Sequence, residues 1–164
     1  MRAFTPVVAY SVSAVVFALD RLTKWIIEKN VSVLDTHTVI PGFFDIVHAK
    51  NRGAAFSLFA ESTSLLRPFL LVGLAVAALL LVAWMLRNAS TLDRPTAIGL
   101  SLILGGAMGN VFDRIVSGEV TDFLDFYIGA LHWPAFNVAD SGIVIGCSLM
   151  VLSMLRSNRQ AAGA

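Results

Sequence analysis

Cysteine and charged residues are both scarce in this chain. Among 164 residues there is one cysteine, Cys147, and only 14% of the residues are Asp, Glu, Lys or Arg. A single cysteine excludes an intramolecular disulfide and the paired-cysteine motifs of zinc and redox sites. Soluble domains carry about a quarter charged residues. The low charge, together with 57% hydrophobic residues and a mean hydropathy of +0.77, therefore indicates a protein whose solvent is lipid.

Basic blocks and metal-ligand spacings are also missing. The formal net charge is +1, with no run of Lys and Arg of the kind that phosphate backbones require, so we expect no nucleic-acid partner. His37, His48 and His132 show no HExxH or other ligand spacing, and we expect no metal and no cofactor. The absence of a GxSxG motif argues against a serine hydrolase.

The hydrophobic stretches are long enough to cross a bilayer, which takes about 20 helical residues. The sequence predicts a single membrane all-α domain over residues 1–164. Its four transmembrane helices are expected at about residues 7–28, 66–86, 96–114 and 137–155. A cleaved signal peptide is the alternative for the N-terminus. We favour a retained helix, because the apolar pattern resumes after the charged residues that follow Leu19.

Basic residues indicate the orientation. The tails and the short loop 87–95 are rich in arginine, which by the positive-inside rule predicts that both termini are cytoplasmic. The connections at about residues 29–65 and 115–136 are then extracytoplasmic. β-prone pieces at Thr38–Ile40, Phe43–Val47 and Ala54–Phe59 predict a small β-rich segment between helices 1 and 2. Residues 157–164 are predicted to be disordered.

Carboxylates at the ends of the predicted spans are the candidate chemical groups, because ionisable residues near membrane depth are costly. Asp122 is expected in a loop, among apolar residues. Asn137 and Asp140 are expected to form a variant capping box that opens the fourth helix. An aspartate in a first helical turn is favoured in its ionised form. If Asp122 lies close by in a less polar spot, the two carboxyls would share one proton, with Asp140 as base and Asp122 as protonated partner.

Other polar residues of the spans have structural alternatives. Asn110 and Arg114 are four apart on one face of the third helix, beside Gly105, Gly106 and Gly109, where helix packing is the alternative to a site. Asp20 and Lys24 have the spacing of an ion pair. That pair either holds the structure together or contacts polar groups of lipid or substrate.

Five motifs together resemble the bacterial lipoprotein signal peptidases, also called type II signal peptidases. They are Asp20 with Lys24, NRGAAFS at 51–57, GGAMGNVFDR at 105–114, VTDF at 120–123 and FNVADS at 136–141. The resemblance implies an aspartyl endopeptidase of the bacterial inner membrane that cuts prolipoproteins just before a diacylglyceryl-modified cysteine, near the outer face, and is inhibited by globomycin.

The same resemblance assigns roles to residues. It implies that Asp122 and Asp140 are the catalytic pair and that Asp20 and Lys24 stabilise the structure. The residues implied to line or support the substrate site are Asn51, Asn110, Arg114 and Asn137. Two alternatives from other classes are a proton- or ion-coupled transporter and a non-catalytic scaffold, since polar groups within membranes also build ion pathways and interfaces.

Overall fold

The computed structural model describes residues 4–52 and 66–162, with side chains described over 4–52 and 72–157. Within these ranges the chain forms four long helices and a small antiparallel sheet. The helices are α1 (Pro6–Asn30), α2 (Leu66–Leu86), α3 (Arg94–Val116) and α4 (Val138–Ala162), and the strands are β1 (Thr36–Ile40), β2 (Phe44–Asn51), β3 (Val120–Ile128) and β4 (Leu131–His132).

Two of the helices begin directly after a residue whose side chain caps the helix N-terminus. Thr5 precedes α1 and its hydroxyl accepts a hydrogen bond from the Val8 amide, with Pro6 at the first helical position. Asp93 caps α3 in the same way by accepting from the Thr96 amide. Asp93 also accepts a 2.6 Å hydrogen bond from the Ser153 hydroxyl of α4, which ties the two helices together at this end.

Helix α3 lies at the centre of the bundle, in contact with α1, α2 and α4. Its glycines allow close backbone approach. A Cβ at Gly105 would collide with the backbone of Ser13 in α1, and one at Gly106 with the backbone of Ala139 in α4. Gly109 lies directly against the Asp20 carboxylate. The packing interpretation of these glycines is confirmed, and it brings polar groups of three helices together.

The sheet has the strand order β1–β2–β3–β4, and all its pairs are antiparallel. The prediction of β structure after α1 is confirmed for β1 and β2. The sheet is not confined to that connection, however, because β3 and β4 come from the segment between α3 and α4. The predicted piece Ala54–Phe59 lies outside the described residues.

Helix lengths agree with the predicted hydrophobic stretches, with one correction at the C-terminus. Within the described ranges, three helices are long and apolar enough to cross a membrane: Pro6–Asn30, Arg94–Val116 and Val138–Ser157. The described apolar part of α2, Val72–Leu86, is shorter. The prediction of a disordered tail from residue 157 is wrong through Ala162, since α4 continues to that residue.

Candidate active site

Asp122 lies in strand β3, so its prediction as a loop residue is wrong. The backbone of β3 pairs with that of β2, with Ala49 opposite Asp122 and Asn51 opposite Val120. The Asp122 side chain is buried and accepts two hydrogen bonds. The Asn51 amide donates to one carboxylate oxygen at 2.9 Å, and the Asn137 amide donates to the other at 2.7 Å.

Asp140 lies in the first turn of α4, and the predicted capping box with Asn137 is confirmed. The Asp140 backbone amide donates to Asn137 Oδ1 at 3.0 Å, and Asp140 Oδ2 accepts from the Asn137 backbone amide at 3.3 Å. These reciprocal bonds satisfy two amides at the start of α4. They also fix the side chain of Asn137, whose Nδ2 donates to Asp122 and lies within hydrogen-bond distance of Asn110 Oδ1.

Asn110 of α3 connects the two carboxylates. Its Nδ2 donates to Asp140 Oδ1 at 2.7 Å, and its Oδ1 lies 3.3 Å from Asn137 Nδ2. The path from Asp122 to Asp140 therefore runs through two amide side chains, Asn137 and Asn110. Both amides are buried. The fold thus brings Asp122, Asp140, Asn137, Asn110 and Asn51 into one cluster from β2, β3, α3 and α4.

A buried ionic group lies beside this cluster. Lys24 and Asp20 are fully buried and form the predicted ion pair at 2.8 Å. Lys24 Nζ also lies 2.7 Å from Asp113 and donates to Asn110 Oδ1 at 3.0 Å. Asp20 in turn accepts from the Ala139 amide at the start of α4. Since neither side chain is exposed, the structure favours the structural alternative over contact with lipid or substrate.

Sequence reasoning missed two partners in this group. Asp113 stood out only as an acidic neighbour, and Arg21 had no role, yet Arg21 pairs with Asp113 and lies over the Phe112 ring, 4.7 Å from its centroid. The signal was available in part. Arg21 lies three residues before Lys24, and Asp113 three residues after Asn110, so each shares a helix face with a residue already marked as polar.

Arg114 lies half-buried at the edge of the cluster. Its guanidinium donates to the Asn110 backbone carbonyl at 3.1 Å, the one-face relationship expected from their spacing. Its positive charge interacts with Asp140 and Asp122. Arg114 therefore supplies positive charge to the pair.

Sequence reasoning also missed a polar group that joins α1 to the sheet. Glu28 of α1 accepts hydrogen bonds from Thr121 at 2.6 Å and from Lys50 at 3.0 Å, while Lys50 also donates to Thr121 at 2.9 Å. Lys50 and Thr121 are partners in the β2–β3 register, each one residue away from Asn51 and Asp122 respectively. This contact links α1 to the strands that carry those two side chains.

The environment of Asp122 favours its protonated form. The pKa of Asp122 is raised to about 6, chiefly by burial and in part by repulsion from the Asp140 carboxylate. Hydrogen bonds from Asn51 and Asn137 and the charge of Lys24 act in the opposite direction. Near neutral pH, a modest change of surroundings is enough to move a proton on or off this carboxyl.

The fold, with helices long and apolar enough to cross a membrane, is one shared with known membrane enzymes. Two solved structures described as bacterial membrane enzymes share the fold. One has a TM-score of 0.76 and 31% sequence identity, covering 92% of this chain and 88% of its own. The other has a TM-score of 0.78 and 29% identity, covering 90% and 92%.

The chain belongs to the signal peptidase II family, whose profile matches residues 12–156. It is similar to the lipoprotein signal peptidase of Solibacter usitatus, with 60% identity over 154 residues that make up 94% of either chain. It is also similar to the lipoprotein signal peptidase of Ralstonia nicotianae, with 49% identity over 142 residues, 87% of this chain and 80% of that one. The resemblance seen in the sequence is confirmed, and a peptidase family replaces the transporter and scaffold alternatives.

Proposed function

We propose that this chain is an aspartic endopeptidase that removes the signal peptide of prolipoproteins by cutting just before a diacylglyceryl-modified cysteine. One observation carries the proposal. Two carboxylates from separate elements, Asp122 of β3 and Asp140 of α4, are joined through the buried amides of Asn137 and Asn110. Aspartic peptidases use such a pair to activate water without a metal.

The chemistry divides between the two carboxyls. Asp140 is the ionised base that takes a proton from the attacking water. Asp122 is the protonated partner that donates a hydrogen bond, and then a proton, to the oxygen of the scissile carbonyl. This division is supported by the raised pKa of Asp122 and by the position of Asp140 in the first turn of α4, where the helix dipole favours a negative charge.

The supporting residues have separate tasks. Asn51 and Asn137 hold Asp122 by donating to its two oxygens, and Asn110 holds Asp140. Arg114 places a positive charge beside the oxyanion that forms when water attacks, which stabilises that intermediate. Asp20 and Lys24 keep α1, α3 and α4 together beneath the pair.

The proposal also includes the arrangement of the chain in the membrane. All four helices span the bacterial inner membrane, both termini are cytoplasmic, and the catalytic pair lies near the outer face. The start of α4 and the sheet are at the same end of the bundle, which supports a site at the boundary of lipid and water. A substrate that enters through lipid presents its scissile bond at that depth, and globomycin is expected to occupy the same pair.

The test is cleavage of a diacylglyceryl-modified prolipoprotein by the purified protein in liposomes. Asp122→Asn and Asp140→Asn are each expected to lose at least about a thousandfold in turnover, since neither half of the chemistry proceeds alone. Asp125→Asn is the matched control, because Asp125 lies on the same strand but bonds to His132 instead. Substantial turnover by Asp122→Asn or by Asp140→Asn, or cleavage of the unlipidated substrate at an equal rate, would contradict the proposal.

A further inference from the structure

Two turns of the sheet carry no formal charge and meet in space. Residues 39–44 and 126–136 contain no Asp, Glu, Lys or Arg. They form the β1–β2 and β3–β4 turns. The Tyr127 amide donates to the Phe43 carbonyl at 2.9 Å, and the Gly42 amide donates to the Tyr127 hydroxyl at 3.2 Å. Both turns therefore lie at the same end of the sheet, opposite the end that carries Asp122.

Large apolar side chains are exposed at this end. Ile128 is 74% exposed, Leu131 80% and Trp133 63%, and about half of Ile40 and Phe43 is exposed. We call these five residues the apolar sheet end. Several of them border a shallow cavity of about 320 Å³. Turns in water are ordinarily polar, and a contiguous apolar patch of this kind marks a surface that something covers.

The apolar sheet end lies close in the sequence to the membrane helix α4. The Phe126 ring stacks on that of Phe136 at 5.8 Å, and Phe136 pairs with Leu124 just two residues before α4 begins. Trp133 lies only five residues before that helix. Further along α4, Val144 and Ile145 are exposed apolar residues of a membrane-spanning helix. Exposed apolar residues therefore lie both on the lipid-facing helix and at the sheet end, and the chain segment 126–136 that leads from one to the other contains no charged residue.

We propose that the apolar sheet end inserts into the interfacial layer of the lipid bilayer, with Trp133 at the level of the headgroups. Indole rings prefer this depth because their apolar body is buried while the N–H meets polar groups. Insertion would hold β3 flat along the membrane surface. Because Asp122 lies near the start of that strand, the same contact would set its height relative to the bilayer. A second copy of the chain, or a bound peptide, is the competing occupant.

Tryptophan fluorescence tests the depth directly, independently of catalysis. The chain has three tryptophans, so Trp25→Phe combined with Trp84→Phe leaves Trp133 as the sole reporter. In phosphatidylcholine liposomes, we expect lipids brominated near the headgroup end of the acyl chain to quench Trp133 more strongly than lipids brominated near the chain end. Aqueous iodide is expected to quench it much less than it quenches free N-acetyltryptophanamide.

Two results would overturn the insertion. Strong iodide quenching without bromolipid quenching would show that the sheet end lies in water. Weak quenching by both agents would show that protein covers it instead. A second comparison, Leu131→Gln against Leu131→Ile in the same background, controls for folding without adding a charge that would attract iodide: the glutamine is expected to increase iodide quenching of Trp133 severalfold, and the isoleucine to leave it unchanged. Equal quenching in the two variants would also contradict insertion.

Discussion

Asn137 donates a 2.7 Å hydrogen bond from its side-chain amide to Asp122, although the two residues lie on different elements. The carbonyl of the same side chain accepts from the Asp140 amide at the start of α4. One side-chain amide therefore bonds to the carboxylate of Asp122 and to the backbone of Asp140. Its orientation is determined, because only the carbonyl end can accept from the helix and only the nitrogen end can donate to Asp122.

Asn137→Ala is expected to affect stability and turnover together. It removes the cap of α4 and leaves Asp122 with one fewer donor, so the free energy of unfolding should fall by about 2 kcal/mol. Thermal melting and cleavage assays measure the two effects. Asn51→Ala is the control, since it also removes a donor to Asp122 but leaves the α4 cap intact. Equal destabilisation by the two substitutions would contradict the dual role of Asn137.

The pH dependence of cleavage should report Asp122. If its protonated form is the active one, kcat/KM falls about tenfold per pH unit as pH rises above its pKa of about 6. In Asn51→Ala the carboxylate loses a hydrogen bond that favours ionisation, so the pKa rises and the falling limb moves to higher pH. A limb that stays in place, or moves to lower pH, would contradict this assignment.

Lys24 is expected to orient Asn110. Its ammonium and the Asn137 amide both donate to Asn110 Oδ1, which turns the Asn110 nitrogen toward Asp140. Removing Lys24 alone would leave Asp20 buried without its cation, at a cost of about 3–5 kcal/mol, whereas Asp113 keeps its pairing with Arg21. The informative variant is therefore Lys24→Met combined with Asp20→Asn, compared with Asp20→Asn alone.

We expect turnover of the double variant to be about 10- to 100-fold below that of the single variant, because Asp140 is no longer held in position. Melting temperatures of both variants check that they fold. Matching turnover in the two, with both folded, would limit Lys24 to a structural role.

Sequence patterns predicted the helices and the local pairs well. The Asp20–Lys24 ion pair depends on a spacing of four residues, and the Asn137–Asp140 capping box on a spacing of three. The sequence displays both spacings directly. The predicted hydrophobic stretches likewise correspond to helices, and within the described residues three of these are long and apolar enough to cross a membrane.

Contacts between distant elements could not be predicted in the same way. Asp122 was expected in a loop because it lies beyond the end of the third helix. Its place in a strand depends instead on pairing with β2, whose Asn51 is 71 residues away from Asp122 in the sequence. The pairing of Arg21 with Asp113, 92 residues apart, is set by the packing of α1 on α3. Only the fold determines which polar faces meet.

The coupling of Asp122 to Asp140 is the central claim, and infrared difference spectroscopy of the protonated carboxyl band tests it most directly. The account predicts a band that titrates with a midpoint near pH 6, is absent in Asp122→Asn, and shifts to a lower midpoint in Asp140→Asn because the repelling charge is gone. A band that persists in Asp122→Asn, or keeps the same midpoint in Asp140→Asn, would show that the two carboxyls do not act as a pair.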